Sequence, residues 1–330
     1  MKIIFLFLSL ITFVISPYDL TPDIPENYTI APWYKFKPSA ITYSFDDGSA
    51  NHLKVAIPLL DKFGFKGSFN LITSLDNDFP AYKIAAENGH EITSHTVTHP
   101  NLKDLSREEQ EKEIAESKYL IESKTGHEAV TLVYPYCVPG DEDLAQKYYI
   151  SGRHCYWDYI SPNPVNMFNL PSFGIGNESS VTSAEDLNDL IKTALLKESW
   201  IVFLIHGIDD DGGYSFTDSR ELEKHFQYVK ESDQFWVATF RDVSKYILEA
   251  NSLVIREVET ARGSFINVDT KYKTSVTKLN FPVTISKTFN CLKPSIKDTE
   301  LLTNVEFKLE NGKVIFDVVP GQEYLIQCED

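Results

Sequence analysis

Two adjacent carboxylates are the first candidates for chemistry in this sequence. Asp46 and Asp47 follow a short apolar run and precede a glycine, in the segment Tyr-Ser-Phe-Asp-Asp-Gly at residues 43–48. Adjacent residues at the end of a strand point in different directions, so one carboxylate can bind a metal ion while its neighbour accepts a proton. Because Asp-Gly is also a common turn dipeptide, this segment taken alone favours an ordinary polar turn.

Two histidines, His95 and His99, form a second candidate in the segment Ser-His-Thr-Val-Thr-His-Pro at residues 94–100. Two imidazoles four residues apart can meet one cation from a helical turn or a tight loop, although an isolated pair is more often two surface histidines. Combined with Asp47, they supply a ligand set that suits zinc and related divalent ions and leaves a place for water. Such an ion lowers the pKa of its water and polarises a carbonyl, with Asp46 as the natural base. The pattern therefore indicates a hydrolase site.

A third histidine, His206, closes the apolar run Trp200–Ile205. A histidine in this position is either packed in the core with its hydrogen bonds satisfied or a member of a site. Because imidazole titrates near neutral pH, His206 is the best-placed group to protonate a departing nitrogen once the metal site is granted.

These candidates follow segments that the sequence predicts to be strands. From residue 39 to about residue 250, β-branched or aromatic runs alternate with amphipathic stretches, which is the pattern of repeated βα units. Barrels build their sites at strand ends. Predicted strands cover residues 40–45, 67–71, 90–93, 129–134, 200–205 and 235–238. Predicted helices cover residues 52–63, 82–88, 106–124, 187–197, 221–231 and 240–249, the third opened by a Ser-x-x-Glu capping box.

The character of the sequence changes after residue 251, where short extended runs are separated by turns such as Asn311-Gly312. We interpret residues 255–330 as a small all-β sandwich that follows a barrel at 37–250 and an N-terminal extension at 17–36. Predicted strands of the sandwich cover residues 265–268, 277–279, 283–285, 305–309, 314–318 and 324–326. This domain either binds carbohydrate or braces the barrel.

The first sixteen residues have the features of a signal peptide. Lys2 precedes an apolar run at residues 3–14, and small Ser16 is a plausible cleavage point. The run is too short for a membrane-spanning helix, which needs ~20 apolar residues, and no comparable stretch occurs later. We therefore expect a secreted, extracellular protein.

An oxidising compartment lets the four cysteines pair, so two disulfides are expected rather than four buried thiols. The sequence does not determine the connectivity, but pairing within each proposed domain joins Cys137 to Cys155 and Cys291 to Cys328. The sequons at Asn27 and Asn177 agree with secretion and predict glycosylation if the host glycosylates.

The charge balance limits the partners. A formal net charge of −17 disfavours nucleic acids and anionic membrane surfaces, because both are bound through clustered Lys and Arg. A neutral or cationic partner fits, and the 13% aromatic content can supply faces that stack on sugars, although most of these rings are expected in the core.

Three segments together resemble the polysaccharide deacetylase family, also called NodB-homology or carbohydrate esterase family 4. They are Ser-Phe-Asp-Asp-Gly at 44–48, His-Thr-Val-Thr-His-Pro-Asn-Leu at 95–102 and Phe-Leu-Ile-His at 203–206, and the likeness covers roughly residues 37–250. The resemblance implies an α/β fold, a distorted (β/α)7-type barrel. It also implies roles: Asp46 as general base, His206 as general acid, a backbone N–H of Tyr136 on the oxyanion, and Asp47, His95 and His99 as metal ligands.

The chain departs from this family in two places. The third motif usually carries an arginine that orients the base, but Val133 stands at the matching position with no arginine nearby, so another group must orient Asp46. The fourth motif has no clear match, since Trp157-Asp158 is in the right neighbourhood but out of order. We interpret these departures as a trait of a subfamily. The acidic, glycine-rich run at 207–214 is either a loop over the cleft or a solvated surface loop.

The expected function is that of a metal-dependent hydrolase of carbon–nitrogen bonds other than peptide bonds. It would remove N-acetyl groups from N-acetylglucosamine-containing glycans of the chitin or peptidoglycan type, as a monomer, with Zn²⁺ or else Co²⁺ or another divalent ion. Two alternatives stay open: an O-acetyl esterase acting on xylan, and a glycan-binding relative that has lost catalysis.

Overall fold

The computed structural model describes residues 21–328, and the signal peptide predicted at 1–16 lies outside the described residues. The strands in chain order are β1 (Tyr28–Ile30), β2 (Ser39–Asp46), β3 (Ser68–Leu71), β4 (Glu91–Ser94), β5 (Thr131–Val133), β6 (Ser151–Arg153), β7 (Phe173–Gly174), β8 (Trp200–Ile205), β9 (Phe235–Val237), β10 (Leu253–Thr260), β11 (Gly263–Thr270), β12 (Val283–Thr288), β13 (Pro294–Asp298), β14 (Phe307–Glu310), β15 (Lys313–Val318) and β16 (Glu323–Cys328). The helices are α1 (Ile57–Phe63), α2 (Phe79–Glu87), α3 (Arg107–Thr125), α4 (Glu142–Tyr148), α5 (Ala184–Leu196), α6 (Ser219–Ser232) and α7 (Phe240–Ser252).

A curled parallel sheet forms the first layer, in the order β6-β5-β4-β3-β2-β8-β7. β9 pairs with the first residues of β2, and β3 pairs with its last residues. The segment 167–170 then hydrogen-bonds to β6, with Gly152 N donating to Met167 O at 2.8 Å and His154 N to Leu170 O at 2.7 Å. Because the same segment leads into β7, which pairs with β8, the sheet curls back toward itself. This architecture confirms the predicted distorted (β/α) barrel.

The central strands are buried along their whole length, as parallel strands covered on both faces must be. Aromatic side chains fill one face of the sheet: the rings of Phe45 and Phe69 stack at 4.9 Å, and those of Tyr43 and Phe203 at 5.7 Å. Burying a side chain of this size contributes about 1.5–3 kcal/mol relative to leaving it exposed. The core therefore holds the ends of β2 and β8, and the residues that follow them, in fixed positions.

Local signals in the sequence explain where the long helices begin. Ser106 and Glu109 form the predicted capping box at the start of α3, which ends at Gly126 in the left-handed conformation (φ 77°). Ser183 and Asp186 form a second capping box at the start of α5. Within residues 21–328, no helix combines the length and the apolar character needed to cross a membrane.

Two four-stranded antiparallel sheets follow, in the orders β1-β12-β15-β14 and β10-β11-β16-β13. Their facing side chains form a separate apolar core that includes Ile266, Val268, Val283 and Ile285. The predicted all-β region is thus present, and β1 joins it from the segment that the sequence analysis treated as an extension.

In the sandwich, one predicted strand is wrong, and three observed strands were not predicted. Residues 277–279 form no strand, because Thr277 instead donates a hydrogen bond to Glu128 of the barrel at 2.5 Å. These strands are β1, β10 and β13; β10 and β13 are rich in charged or polar residues and lie at the two edges of one sheet. In the barrel, the short strands β6 and β7 were likewise not predicted.

Helix α7 joins the barrel to the β-sandwich. Tyr246 donates a hydrogen bond to Ala31 O at 2.7 Å, and Glu249 accepts one from Phe281 N at 3.0 Å. Glu249 is fully buried, and this burial raises its pKa to about 8. Its other carboxylate oxygen has no hydrogen-bond partner among the described residues.

Candidate active site

The predicted site residues lie at the carboxyl ends of neighbouring parallel strands. Asp46 is the last residue of β2, His95 follows β4, and His206 follows β8. Asp47 and His99 have positive φ angles of 73° and 60°, which non-glycine residues rarely adopt. Backbone conformations of this kind occur where the surrounding structure requires them, frequently at functional sites.

Asp47, His95 and His99 form a cluster with the geometry of a metal site. The Nε2 atom of His95 is 3.5 Å from Oδ1 of Asp47, and that of His99 is 3.9 Å from the same oxygen. One ligand atom from each of the three residues lies within 4.8 Å of the other two. A single cation can therefore contact one carboxylate oxygen and two imidazole nitrogens.

Two further observations fit a cation at this cluster. His95 Nδ1 is 2.9 Å from the carbonyl oxygen of Val133, so Nδ1 donates a hydrogen bond and the lone pair of Nε2 faces Asp47. Oδ1 of Asp47 is buried and has no hydrogen-bond partner among the described residues. A buried carboxylate oxygen without a donor is costly unless a cation occupies the space beside it. The three side chains thus fit a divalent metal ion.

Burial controls the protonation of these ligands in the protein alone. It raises the pKa of Asp47 to about 6, with a further contribution from the charge of Asp46. It lowers the pKa of His95 to about 4, so the imidazole is neutral at pH 7. A neutral imidazole and a carboxylate are the forms that bind a metal ion.

Asp46 is held by two donors that the sequence analysis did not identify. Arg153 donates to its Oδ2 at 2.5 Å, and Asn70 donates to its Oδ1 at 2.6 Å. Burial alone would raise the pKa of Asp46, but the positive charge of Arg153 and the neighbouring histidines hold it below its usual value. Asp46 is therefore a carboxylate at neutral pH, with its orientation set by Arg153.

No arginine lies near Val133 in the sequence, and the group that orients Asp46 in its place is an arginine from another strand, Arg153. Arg153 ends β6, the strand beside β5, whose last residue is Val133. The guanidinium thus reaches the base from the next strand of the sheet. The signal that could have identified Arg153 is its position as a charged residue at the end of the short run Tyr-Tyr-Ile-Ser-Gly at 148–152. No strand is predicted from the sequence there.

His206 faces the cleft and forms no ion pair with a carboxylate of the described residues. In the described part of the chain, its side chain forms no hydrogen bond, and its ring packs edge-on against Tyr214 at 5.0 Å. His52 Nε2 donates to the backbone oxygen of His206 at 2.6 Å, and this hydrogen bond holds the backbone that follows β8. Within residues 21–328, no aspartate pairs with His206 as the family's fourth motif would.

Two carboxylates of the acidic loop after His206 accept hydrogen bonds from backbone amides, both within the loop and on neighbouring segments. Asp211 accepts hydrogen bonds from Asn51 N at 2.9 Å and Gly213 N at 3.1 Å, and Asp209 accepts one from Ser219 N at 2.8 Å. Tyr214 then reaches the cleft. The loop therefore contributes a ring to the site, while two of its carboxylates stabilise the turn.

A cleft of about 820 Å³ surrounds the cluster, and exposed aromatic rings line its walls. Tyr136 has a positive φ of 53°, and its ring centroid lies 4.6 Å from that of His99. Trp157 is half exposed and packs against Phe173 at 5.5 Å. Neighbouring Asp158 accepts a hydrogen bond from Tyr159 N at 2.8 Å. Trp157 of the out-of-order Trp157-Asp158 pair thus lines the cleft, whereas Asp158 does not.

The four cysteines pair in the structure as Cys137–Cys155 and Cys291–Cys328, with Cα separations of 5.2 and 5.7 Å. The first pair lines the cleft, and the second lies in the β-sandwich. Asn27 and Asn177 are exposed, and their glycosylation stays a prediction.

Residues 34–147 match the family model described as "Polysaccharide deacetylase". Among curated proteins, the chain is 28% identical over 299 residues to a gellan lyase of a Bacillus species, covering 82% of this chain and 12% of that protein. It is 31% identical over 106 residues to the "Putative polysaccharide deacetylase YxkH" of Bacillus subtilis (strain 168), covering 30% of this chain and 38% of that protein. The chain thus spans well under half the length of these curated relatives.

Two solved structures share the fold. A "putative polysaccharide deacetylase from Mycobacterium smegmatis" superposes with a TM-score of 0.53 at 14% identity, covering 65% of this chain and 92% of that one. A "Puue Allantoinase" superposes with a TM-score of 0.51 at 12% identity, covering 67% and 94%. At these identities the likeness concerns the fold.

The sheet topology and the residues at the strand ends agree with the family model. Over residues 34–147 the barrel matches the polysaccharide deacetylase family, as the resemblance in its sequence implied. Because one fold hosts several chemistries, the reaction has to be argued from the site.

Proposed function

We propose that this protein is a metal-dependent deacetylase that hydrolyses N-acetyl groups of N-acetylglucosamine-containing glycans. The observation that carries the proposal is the cluster of Asp47, His95 and His99. Its buried carboxylate oxygen has no donor among the described residues, and two imidazole nitrogens lie 3.5 and 3.9 Å from it. This cluster lies on the wall of the cleft of about 820 Å³, beside a second carboxylate held in its charged form.

The residues around the cluster supply the parts of an amide hydrolysis. A divalent cation, when bound, would polarise the acetyl carbonyl and lower the pKa of a water molecule. Asp46, oriented by Arg153 and Asn70, would accept the proton from that water. The backbone N–H of Tyr136 would donate to the developing oxyanion, and His206 would give a proton to the departing nitrogen.

The charges of the cleft support a neutral glycan as substrate. Arg153 is the only lysine or arginine among the described residues that line the cleft, and it is paired with Asp46. No free cation is therefore available along these walls for a phosphate or uronate group. The exposed rings of Tyr136, Trp157 and Tyr214 provide faces on which pyranose rings can stack.

Acetate release from two polymers tests the proposal. The purified chain is incubated with acetylated chitin oligomers and with acetylated xylan, with and without a chelator, and acetate is quantified. We expect release from chitin oligomers that the chelator stops and a divalent metal restores. Faster release from xylan would favour the O-acetyl esterase, and no release from either polymer in excess metal would favour a glycan-binding protein without catalysis.

We also propose that the protein is secreted, on the basis of the signal peptide at residues 1–16. Two disulfides in the described region support an oxidising compartment. N-terminal sequencing of protein collected from culture medium should begin after Ser16, and recovery of the chain only inside cells with its first residues intact would contradict this proposal.

A further inference from the structure

The Cys137–Cys155 disulfide joins two loops at the cleft, one of which contains Tyr136 while the other directly follows Arg153. Cys137 follows Tyr136 in the loop after β5, and Cys155 lies two residues after Arg153 in the loop after β6. Both cysteines are partly buried and line the cleft. The covalent link thus lies between the oxyanion donor on one side and the residue that orients the base on the other.

The backbone beside this disulfide adopts a conformation that needs support. Tyr136 and Cys137 both have positive φ angles, of 53° and 62°. Residues other than glycine adopt this region at an energetic cost, and they do so where surrounding contacts enforce it. Two in succession make the turn at 135–137 dependent on external restraint.

Hydrogen bonding between the two strands does not extend as far as this turn. Backbone pairing of β5 and β6 reaches the bond from Tyr134 N to Arg153 O at 3.2 Å. Beyond that point, Cys137 N and Val138 N bond to Tyr134 and Pro135, which lie within the turn itself. The disulfide is the link that continues the connection between the loops.

We propose that the Cys137–Cys155 disulfide positions Tyr136 and Arg153 for turnover, so that its reduction by a dithiol lowers the activity reversibly. The inference rests on the proposed function. In the reduction, the dithiol gives two electrons and two protons to the S–S bond, which becomes two cysteine thiols, while the dithiol becomes its own disulfide. Reoxidation reverses these changes.

The chain provides a matched control, because its second disulfide lies in the β-sandwich. We compare the full-length protein with a C137S/C155S variant and a C291S/C328S variant, all loaded with the same divalent metal. In C137S/C155S we expect kcat for acetate release to fall at least about tenfold with little change in KM, since Tyr136 acts on the developing oxyanion and Arg153 orients the base. C291S/C328S should keep the kcat of the parent at temperatures below its unfolding transition.

Reduction of the folded parent protein gives a second measurement that does not depend on how the variants fold. A dithiol should lower the kcat of the parent and of C291S/C328S to the level of C137S/C155S, which should itself be insensitive. Removal of the dithiol and reoxidation should restore the activity. A kcat in C137S/C155S equal to that of the parent, or equal losses in both disulfide variants, would overturn the proposal.

Hydrogen exchange separates this inference from the deacetylase activity. Amide exchange in peptides covering 134–140 and 153–158 should become faster in C137S/C155S and in the reduced parent, and stay unchanged in C291S/C328S. If the parent releases no acetate, the proposed function fails, while hydrogen exchange still reports whether the Cys137–Cys155 disulfide holds the two loops. Unchanged exchange in both loops after reduction would contradict the positioning role whatever the activity.

Discussion

Arg153 and Asp46 form a buried ion pair across the barrel, with the guanidinium donating to Oδ2 of the carboxylate at 2.5 Å. The two residues are separated by 107 positions in the sequence, and each is about 2–3% exposed. The proposed base is thus oriented by a residue of β6, which lies beside β5, the strand that leads into the family's third motif.

Breaking this pair should destabilise the protein. Arg153→Met leaves the carboxylate of Asp46 buried without its cation, and we expect the free energy of unfolding to fall by about 3–5 kcal/mol. Arg153→Met combined with Asp46→Asn should lose less. The control is Arg107→Met, which removes an exposed partner of Asp141 and should cost under about 1 kcal/mol. Urea titrations of the metal-free variants measure these values, and equal losses in Arg153→Met and Arg107→Met would contradict a desolvated pair.

Metal binding should depend on the three clustered side chains. His95→Ala removes one of three ligands and should abolish both tight binding of a divalent ion and acetate release. His127→Ala changes a histidine outside the cleft and should leave both unchanged. Calorimetric titration of the chelator-treated protein with Zn²⁺ provides the measurement, and undiminished Zn²⁺ affinity in His95→Ala would exclude the cluster as the binding site.

Replacement of His206 should separate the two kinds of deacetylation. An amine departs from a tetrahedral carbon only when it is protonated, whereas an alcohol is a better leaving group and needs less help. We therefore expect His206→Asn to lower kcat for N-acetyl substrates by about 10²–10⁴ and to affect O-acetyl esters less. Parallel acetate assays on the two substrate types give the ratio. Equal losses on both would indicate that His206 does not act as the proton donor.

Trp157 should contribute to glycan affinity more than to the chemical step. Its ring lines the cleft and is half exposed, so Trp157→Ala should raise KM several-fold with little change in kcat. Tyr119→Ala, which removes an exposed ring from α3, is the control and should alter neither constant. Steady-state kinetics with chitin oligomers of increasing length will show whether the effect of Trp157 grows with the number of sugar units.

Glu249 should make the stability depend on pH. Its pKa is raised by burial to about 8 in the folded protein, above the ordinary value near 4.5, so the folded state holds a proton that the unfolded state releases. Its contribution to stability is full below about pH 4.5 and is lost as pH rises to about 8. Glu249→Gln keeps the acceptor for Phe281 N and removes the charge. Free energies of unfolding at pH 5 and pH 9 should differ less in this variant than in the parent, and the same pH dependence in both would contradict the shift.

Patterns within single segments were enough to predict much of the barrel. The apolar run Trp200–Ile205 is β8 residue for residue, and the capping box at Ser106 begins α3 as expected. Each of these signals acts over a few neighbouring residues, through side-chain burial or through a donor that satisfies a free backbone group. The positions of Asp47, His95 and His99 after predicted strands followed from the same local reasoning.

Tertiary structure alone decided which distant segments meet. It brought Arg153 to Asp46, placed β1 in the sheet of β12, and tied Thr277 to Glu128 instead of to a strand partner. Pairings of this kind depend on how the whole sheet curls and on which hydrogen bonds remain available after its core is packed. No spacing within one segment encodes them, so the sequence by itself determined the barrel and its candidate ligands, while the fold determined what orients the base.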